Sequence, residues 1–242
     1  MLILIISDIH ANLTALETVL QAAGEFDAVW CLGDLVGYGP DPNECIACIR
    51  DLPNLVCILG NHDAAALGLI DVNEFNPEAR TSLLWTKKVL IEKNLKFLRY
   101  LPDMLVLEDV TLTHGSPRQP IWEYLLDVYT ATQNFDHFLT PYCFVGHTHY
   151  PVLFRMNQGD HFARLELLVP ENSFSLPVRS IINPGSVGQP RDRDPRTSFA
   201  IFNSETKSWY YRRIEYDIQS VQERMMSAEL PMRHILRLTD GW

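Results

Sequence analysis

Apolar and polar positions alternate in blocks along the first 60 residues of the chain. Short apolar runs at residues 1–7, 27–32 and 55–59, each bounded by Gly, Pro, Asn or Asp, predict three buried strands. Helices are predicted over residues 13–23, where leucines recur on one face, and over residues 42–51. This β-α-β-α-β order predicts a parallel sheet at the start of an α/β fold.

The rest of the chain is predicted to begin with helices and to continue as a β-rich half. Helices are predicted over most of residues 64–101, with a break at 75–77, and over about 123–138 and 218–228. The predicted strands lie at about 104–107, 110–113, 143–145, 151–157, 161–168, 178–182, 198–203 and 208–214. Gly159 and Asp160 separate two of these strands and predict a hairpin. We interpret residues 1–242 as one domain with a helical, cap-like insertion at about 64–101, since no repeat or long linker interrupts the chain.

Composition narrows the class of protein without defining it. The 242 residues are 47% apolar and 21% charged, which is typical of a globular protein. A net charge of -10 argues against broad binding of long nucleic acid or anionic membranes, although bound metal ions could still attract a phosphate group. The apolar run at residues 2–6 is too short to span a membrane and lacks the flanks of a signal peptide, so we expect a cytoplasmic protein.

The five cysteines do not predict a disulfide scaffold, because their number is odd and their density is low. Cys45 and Cys48 form a C-x-x-C pair that could bind zinc or carry redox chemistry. A zinc site would need a second pair, which the sequence lacks. We therefore interpret the pair as two small apolar residues on one helix face.

Asp, Asn and His side chains follow the predicted strands where these strands end. They are Asp8, His10, Asp34, Asn61, His62, Asp63, His114, His147 and His149. Ligand sites of open α/β sheets form beyond the carboxyl ends of the strands, so we expect these side chains to converge. In extended backbone, Asp8 and His10 would point the same way, as would His147 and His149. Imidazole and carboxylate together suit first-row transition metals, and Asp34 could bridge two cations about 3.5–4 Å apart.

Charge supports a pair of divalent ions at this site. Asp8 and Asp34 would contribute about -2 against +4, leaving roughly +2 to attract a phosphate group and a hydroxide. Taken singly, each residue has an ordinary alternative role, as a hydrogen-bonded surface histidine or as a helix-capping or turn-forming aspartate. Seven such residues at five strand ends make the ordinary explanation weak for the set as a whole.

As an ordered set, these residues resemble the motifs of the calcineurin-like metallophosphoesterase superfamily. The matching motifs are Asp8-x-His10, Gly33-Asp34, Gly60-Asn61-His62-Asp63, His114 and Gly146-His147-x-His149. The compact length is similar to that of the small prokaryotic phosphodiesterase branch of the superfamily. The resemblance implies a four-layer α/β/β/α sandwich with a dinuclear metal site. It also implies the ligand sets, with Asp34 shared by both ions: Asp8, His10 and His149 for the first metal, and Asn61, His114 and His147 for the second.

The resemblance further implies that His62 contacts the phosphate and protonates the leaving group. Asp63 could orient His62, but a role in capping the turn is at least as plausible. Two weaker candidates for substrate binding are Tyr38, in a glycine-rich segment after Asp34, and Arg191, in a Gly/Pro-rich loop. Arg191 could contact a substrate phosphate or could equally belong to a solvated loop with paired charges.

Several other residues are predicted to lie outside the chemistry. Three histidines beyond the motifs are predicted not to bind metal: His137, His161 and His234. Three aromatic residues could line a pocket or an interface, but core packing is the preferred interpretation: Trp122, Tyr124 and Tyr129.

The sequence thus predicts a phosphodiesterase that uses a metal-activated hydroxide and two divalent ions, with manganese favoured over iron, zinc or nickel. The expected substrate is a small phosphate ester, with nucleotides among the candidates. One alternative is a phosphomonoesterase, including a protein serine/threonine phosphatase. Another is a non-catalytic metal-binding scaffold; the retromer subunit of this fold is such a scaffold, but it lacks an equivalent of His62. A metal-dependent regulatory sensor is a third alternative that the sequence leaves open.

Overall fold

Two six-stranded sheets form the framework of the protein in the computed structural model, which describes residues 1–242. The strands are β1 (Leu2–Ile6), β2 (Ala28–Cys31), β3 (Val56–Cys57), β4 (Met104–Leu107), β5 (Val110–Thr113), β6 (Tyr142–Phe144), β7 (Val152–Arg155), β8 (Arg164–Leu167), β9 (Asn172–Ser175), β10 (Ser180–Asn183), β11 (Thr197–Asn203) and β12 (Ser208–Ile214). The α-helices are α1 (Leu13–Ala23), α2 (Pro42–Arg50), α3 (Asn61–Leu67), α4 (Pro77–Val89), α5 (Glu92–Arg99), α6 (Val128–Asn134), α7 (Ile218–Ser227) and α8 (Met232–Asp240). Short 3₁₀ turns lie at Val72–Glu74 and Phe135–His137. None of the helices is both long enough and apolar enough to span a bilayer.

The strand order explains why distant segments meet at one site. The first sheet has the order β3-β2-β1-β11-β12-β9, and the second has the order β4-β5-β6-β10-β7-β8. Strands β1, β2 and β3 are parallel, as their spacing in the sequence predicts. Strands β5, β6 and β10 of the second sheet are also parallel. Loops that follow parallel strands leave a sheet at the same edge, so each sheet can present several loops to one site.

Strand β1 is buried on both faces, and its alternate residues belong to two different apolar cores. Leu4 and Ile6 pack with residues of α1 and α2, whereas Ile3 and Ile5 pack with Phe144 of the second sheet. A third core lies between the second sheet and α6. This order of helices, sheet, sheet and helix is consistent with the predicted four-layer sandwich. Each large aliphatic side chain buried in these cores stabilises the fold by about 1.5–3 kcal/mol.

Most predicted elements agree with the structure, and the differences have local causes. The helix predicted over 123–138 begins only at Val128, because Asp127 caps it by accepting a hydrogen bond from the Thr130 N–H. The hairpin is confirmed by the antiparallel pairing of β7 with β8. The sequence pattern predicts neither β9 nor α8. Helix α3 begins at Asn61 rather than at the predicted residue 64, so residues 61–63 form its first turn.

The C-x-x-C pair lies on α2, as predicted. Cys45 is buried in the core with α1, and Cys48 packs against the same core from a half-buried position. All five cysteines are free thiols. The interpretation of the pair as small apolar residues on one helix face therefore agrees with the structure.

Candidate active site

The structure brings together the seven residues that the sequence proposes as metal ligands. All seven are buried. One group of donor atoms comes from Asp8, His10 and His149, and another comes from Asp34, His114 and His147; within each group the atoms lie within 4.8 Å of one another. Asn61 joins the second group, because its Oδ1 lies 3.1 Å from the Nε2 of His114. Each group could hold one metal ion.

The backbone at most of the candidate ligands is not extended, so the expectation of extended backbone at the pairs Asp8/His10 and His147/His149 is wrong. Asp8, His10, Asp34, His147 and His149 all have φ between 48° and 65°, in the left-handed region. The side chains of His147 and His149 consequently belong to different donor groups, although they are only two residues apart. Hydrogen bonds from Asp8 N to Gly33 O (3.0 Å) and from His10 N to Asp34 O (2.9 Å) hold these strained turns in place.

Asp34 occupies the position between the two groups. Its Oδ1 accepts a hydrogen bond from the His62 N–H at 2.8 Å. Its Oδ2 is buried without a hydrogen-bond donor, and it lies 3.6 Å from His10 Nε2 and 3.3 Å from His114 Nε2. The backbone at position 60 packs closely against Oδ1, so this position requires glycine. A Cβ atom there would lie 2.0 Å from Asp34 Oδ1. Asp34 therefore offers one free carboxylate oxygen to both groups.

Backbone carbonyls fix the orientation of the imidazole rings. In three rings Nδ1–H donates to a backbone carbonyl: His10 to Val36 (3.0 Å), His114 to Leu32 (2.7 Å) and His149 to Gln189 (2.6 Å). This arrangement turns Nε2 toward the centre of the site. His147 uses the opposite nitrogen, because its Nε2–H donates to Trp122 O at 3.2 Å and leaves Nδ1 free.

Two facing imidazoles test whether a cation fits the site. The Nε2 atoms of His10 and His149 lie 3.0 Å apart in buried surroundings. With Nδ1–H donated to a carbonyl in each ring, the neutral imidazoles direct two nitrogen lone pairs at each other. Such an arrangement is unfavourable unless a positive charge lies near both atoms. Together with the unpartnered oxygen of Asp34, it fits a divalent cation with nitrogen and oxygen ligands.

The pKa values of the buried groups point in the same direction. Burial lowers the pKa of His10, His147 and His149 well below its ordinary value, which keeps these rings in the neutral form that binds metal. Burial acts against ionisation of Asp34, but the charges of His114 and His62 hold the pKa of Asp34 well below its usual range. Asp34 is therefore ionised near neutral pH.

Asp8 and His114 bind protons that a metal would have to displace. Burial raises the pKa of Asp8 to about 7. Burial alone would lower the pKa of His114, but the Asp34 carboxylate raises it to about 9. The metal-free site thus favours positive charge beside Asp34, and metal binding should release protons.

The His62 ring lies beside both groups, and with His10 and Asp34 it forms a third group of donor atoms that lie within 4.8 Å of one another. Its ring is buried, its Nδ1 has no partner, and its centroid lies 4.9 Å from that of His10 and 4.4 Å from that of Tyr38. Burial lowers the pKa of His62 to about 4. Gly37 contacts the ring so closely that a Cβ atom there would lie 2.4 Å from His62 Nδ1. The ring Nδ1 therefore makes no hydrogen bond within the protein.

Asp63 caps α3 and does not hold His62. Its Oδ2 accepts a hydrogen bond from Gly60 N, and its Oδ1 accepts one from Val36 N, both at 3.1 Å. Of the two roles that the sequence left open for Asp63, the structure favours capping.

Comparison with known proteins identifies the family. A family model described as the calcineurin-like phosphoesterase superfamily domain matches residues 1–207. The chain belongs to this superfamily. It is 40% identical over 242 residues to the uncharacterized protein MJ0912 of Methanocaldococcus jannaschii. The aligned region covers 95% of this chain and 94% of that protein. A crystal structure of a metallophosphoesterase from Sphaerobacter thermophilus is 45% identical, with a TM-score of 0.92 over 100% of this chain and 99% of that one.

A more distant relative carries a specific enzyme name. The symmetrical bis(5′-nucleosyl)-tetraphosphatase of Pectobacterium carotovorum is 32% identical over 113 residues, which are 45% of this chain and 40% of that protein. These findings confirm the predicted superfamily and the α/β fold. Membership in this superfamily supports a hydrolase that acts on phosphate esters, and it implies divalent metal cofactors.

Tyr38 and Arg191, the two weaker candidates for substrate binding, lie next to each other in the phosphoesterase. Tyr38 is buried, and its ring centroid lies 4.6 Å from that of His10. The guanidinium carbon of Arg191 lies 5.5 Å from the centroid of the Tyr38 ring. Asp192, the nearest candidate partner in sequence, pairs with Arg213 instead. Arg191 is therefore not part of a solvated network of paired charges, whereas Arg196, in the same loop, does pair with Asp194.

Trp122 and Tyr124 form a partly exposed aromatic wall beside the site of the phosphoesterase, and Tyr129 is exposed as well, so the prediction of core packing is wrong. Trp122, Tyr124 and Tyr129 are 36%, 45% and 64% exposed. The Tyr124 ring stacks on His147 with centroids 3.8 Å apart, and Phe75 contacts both His62 (5.0 Å) and Trp122 (5.1 Å). Trp122 and Tyr124 belong to a loop without regular structure, so no periodic pattern indicates which way they face.

The structure also adds a residue that the sequence motifs miss. His234, on α8, belongs to none of the three donor groups, but it is buried beside the site. Its Nδ1 lies 3.0 Å from Ser82 Oγ, and its ring makes an edge contact with Tyr38 at 4.6 Å. No local signal could connect His234 with Tyr38, because the contact joins residues almost 200 positions apart.

The burial of His234 predicts acid sensitivity of the metal-free phosphoesterase. Burial lowers the pKa of His234 to about 3, so this residue contributes stability above pH 6.5 that is lost as the pH falls from about 6.5 toward 3. When the pH is lowered from 7 to 5, the free energy of unfolding of His234→Gln should therefore fall by about 2 kcal/mol less than that of the wild type. Urea denaturation of both proteins at the two pH values measures this difference. The His137→Gln variant, at an exposed position, controls for removal of a histidine; an equal loss in His234→Gln and wild type would contradict the prediction.

Proposed function

We propose that the protein is a dinuclear phosphodiesterase that hydrolyses small phosphate diesters, nucleotides among them. The observation that carries the proposal is the free Oδ2 of Asp34, which lies within 3.6 Å of imidazole nitrogens from both donor groups. A carboxylate in this position suits a bridging role between two cations. The nitrogen and oxygen donors suit manganese, iron, zinc or nickel, of which we favour manganese.

Each residue of the site has a proposed role in this reaction. Divalent ions bound here would supply Lewis-acid charge that polarises a phosphate ester and activates water. Asp8, His10 and His149 would hold one ion, Asn61, His114 and His147 would hold the other, and Asp34 would contact both. The buried carbonyl contacts of the imidazoles keep the ligands oriented before any ion binds.

His62 is proposed to contact the phosphate and to donate a proton to the leaving group. Its low pKa, about 4, is set by burial without an anionic hydrogen-bond partner. A phosphate anion in contact with the ring would favour the protonated form and raise this pKa. The proton would then be available where the leaving oxygen needs it.

The walls of the site support a substrate with a flat organic group. Trp122 and Tyr124 expose aromatic surface next to the imidazoles, and such surface can stack with a nucleobase. The relative from Pectobacterium carotovorum is named a bis(5′-nucleosyl)-tetraphosphatase, which makes nucleotides the first substrates to test. The helical segment 64–101 contributes Phe75 to the same wall, in keeping with a proposed role in limiting substrate size.

The proposal is tested by hydrolysis of bis-p-nitrophenyl phosphate beside p-nitrophenyl phosphate. Protein stripped of metal should have background activity, and reloading with manganese should restore diester cleavage by about 10³-fold, since metal ions supply several kcal/mol of transition-state stabilisation. Preferential cleavage of the monoester would favour a phosphomonoesterase. No cleavage of either compound by protein that binds two manganese ions would contradict the proposal and favour the scaffold alternative.

A further inference from the structure

Two arginine side chains beside the site share one hydrogen-bond acceptor. Arg191 Nη2 donates to Gln189 Oε1 at 2.8 Å, and Arg237 Nη1 contacts the same oxygen at 3.4 Å. The Nε atoms of both arginines are buried without an acceptor. Two like charges thus converge on a neutral amide, an arrangement that calls for an anion.

Nearby carboxylates do not neutralise this pair. Asp192, the neighbour of Arg191, pairs with Arg213, and Asp240 on α8 accepts a hydrogen bond from Trp242 Nε1. Neither Arg191 nor Arg237 forms an ion pair with a carboxylate, although the net charge of the chain is -10. A general role in solubility does not explain why two half-buried cations face each other.

Two other half-buried or buried arginines of the protein are well satisfied, and Arg155, whose Nε also lacks a hydrogen-bond acceptor, forms an ion pair with Glu166. Arg213 donates to Tyr211 Oη at 2.6 Å and to two backbone carbonyls at 3.0 Å, in addition to its ion pair with Asp192. Arg224 donates from Nε and Nη2 to the two carboxylate oxygens of Asp41, at 3.0 Å each. The fold thus supplies acceptors where an arginine has a structural role. The missing acceptors at Arg191 and Arg237 indicate that a ligand supplies them.

The arginine pair is connected to the candidate metal site through two neighbours. The Arg191 guanidinium lies over Tyr38, whose ring contacts His62 at a centroid distance of 4.4 Å. The backbone carbonyl of Gln189, whose side chain both arginines contact, accepts the Nδ1–H of His149 at 2.6 Å. An anion bound by the arginines would therefore lie next to a phosphate bound at the metal ligands.

We propose that Arg191 and Arg237 form a binding site for a second phosphate group of the substrate. The inference rests on the proposed function and deepens it, because it names phosphate esters with an adjacent phosphate, such as nucleoside diphosphates, as the preferred class. A guanidinium group presents parallel N–H donors that match the oxygens of a phosphate. Arg237 lies beyond residues 1–207, the part of the chain that the superfamily model matches.

The test measures binding without turnover. Titration calorimetry of manganese-loaded protein compares AMP with α,β-methylene-ADP, which has one more phosphate group and resists cleavage between its phosphates. Wild-type protein should bind the methylene analogue about tenfold more tightly than AMP, as expected for charge-assisted hydrogen bonds. Arg237→Gln should reduce this preference to about twofold or less and should leave the affinity for AMP within about twofold. Equal affinity of wild-type protein for both compounds would overturn the proposal.

A matched control is available on the same helix. Arg233 is exposed, and like Arg237 it lies over the Trp242 ring, at 5.7 Å against 5.6 Å, but it pairs with Glu78 and has no contact with Gln189. Arg233→Gln should therefore keep the tenfold preference. Arg237→Met, which keeps the aliphatic stem, is a second variant in case the glutamine variant fails to fold. If a folded Arg237 variant keeps the preference, the anion site is wrong.

Failure of the anion site and failure of the proposed function give different experimental results. Loss of the preference in Arg237→Gln, together with no diester hydrolysis by wild-type protein, would contradict the diesterase and support the anion site. Diester hydrolysis by wild-type protein, together with an unchanged preference in Arg237→Gln, would overturn the anion site alone.

Discussion

Asp34→Asn is expected to reduce metal binding from two ions to at most one per chain and to lower diester turnover by about 10³-fold or more. The wild-type Oδ2 is the only oxygen that faces imidazole nitrogens of both groups without a hydrogen-bond donor of its own. Asparagine is neutral, and it could turn its carbonyl oxygen toward both groups only by placing its NH₂ group against the His62 N–H, which is itself a donor. Elemental analysis of manganese after gel filtration, together with diester turnover, measures both effects.

Asp63→Asn is the matched control for this experiment. Asp63 is also a buried carboxylate, and it lies only two residues from the proposed ligand Asn61, but both of its oxygens accept backbone hydrogen bonds at the start of α3. Its replacement should cost about 1 kcal/mol of stability and keep two bound ions. Two manganese ions and wild-type turnover in Asp34→Asn would rule out the bridging role.

The positions of the candidate ligands could be predicted from the sequence because each follows a strand. Asp8, Asp34 and His114 come directly after β1, β2 and β5, or within two or three residues of them, and strand ends are visible as the end of an apolar run. The direction of each side chain could not be predicted in this way. It depends on left-handed backbone at Asp8 and His10, which the hydrogen bonds of neighbouring loops impose.

The surroundings of the site were harder to predict for a different physical reason. His234 reaches Tyr38, and Arg237 reaches Gln189, through contacts between positions that are distant in the chain, and contacts of that kind leave no periodic trace in the sequence. Helix α8 itself is short and follows Pro231, so its start is marked only by a residue that often ends regular structure. The sequence therefore predicts the candidate metal ligands better than the groups proposed to contact the substrate.

His62→Ala is expected to retain two bound metal ions and to lower kcat for a diester with an alkoxide leaving group, such as a dinucleotide, by about 10²–10⁴-fold, the range of general acid catalysis. The histidine lies beside both donor groups, but its Nδ1 has no partner, so its loss leaves the proposed ligands and their carbonyl contacts intact. Metal content and kcat are measured as for Asp34→Asn. His234→Gln is the control, since His234 also contacts the Tyr38 ring, at 4.6 Å against 4.4 Å for His62.

The leaving group decides between the two proposed roles of His62. A proton donor matters little for p-nitrophenolate, which departs readily as an anion, and matters greatly for the alkoxide of a nucleoside. His62→Ala should therefore impair cleavage of a dinucleotide far more than cleavage of bis-p-nitrophenyl phosphate. An equal loss with both substrates would assign His62 to phosphate binding alone, and wild-type kcat with both would remove it from the mechanism.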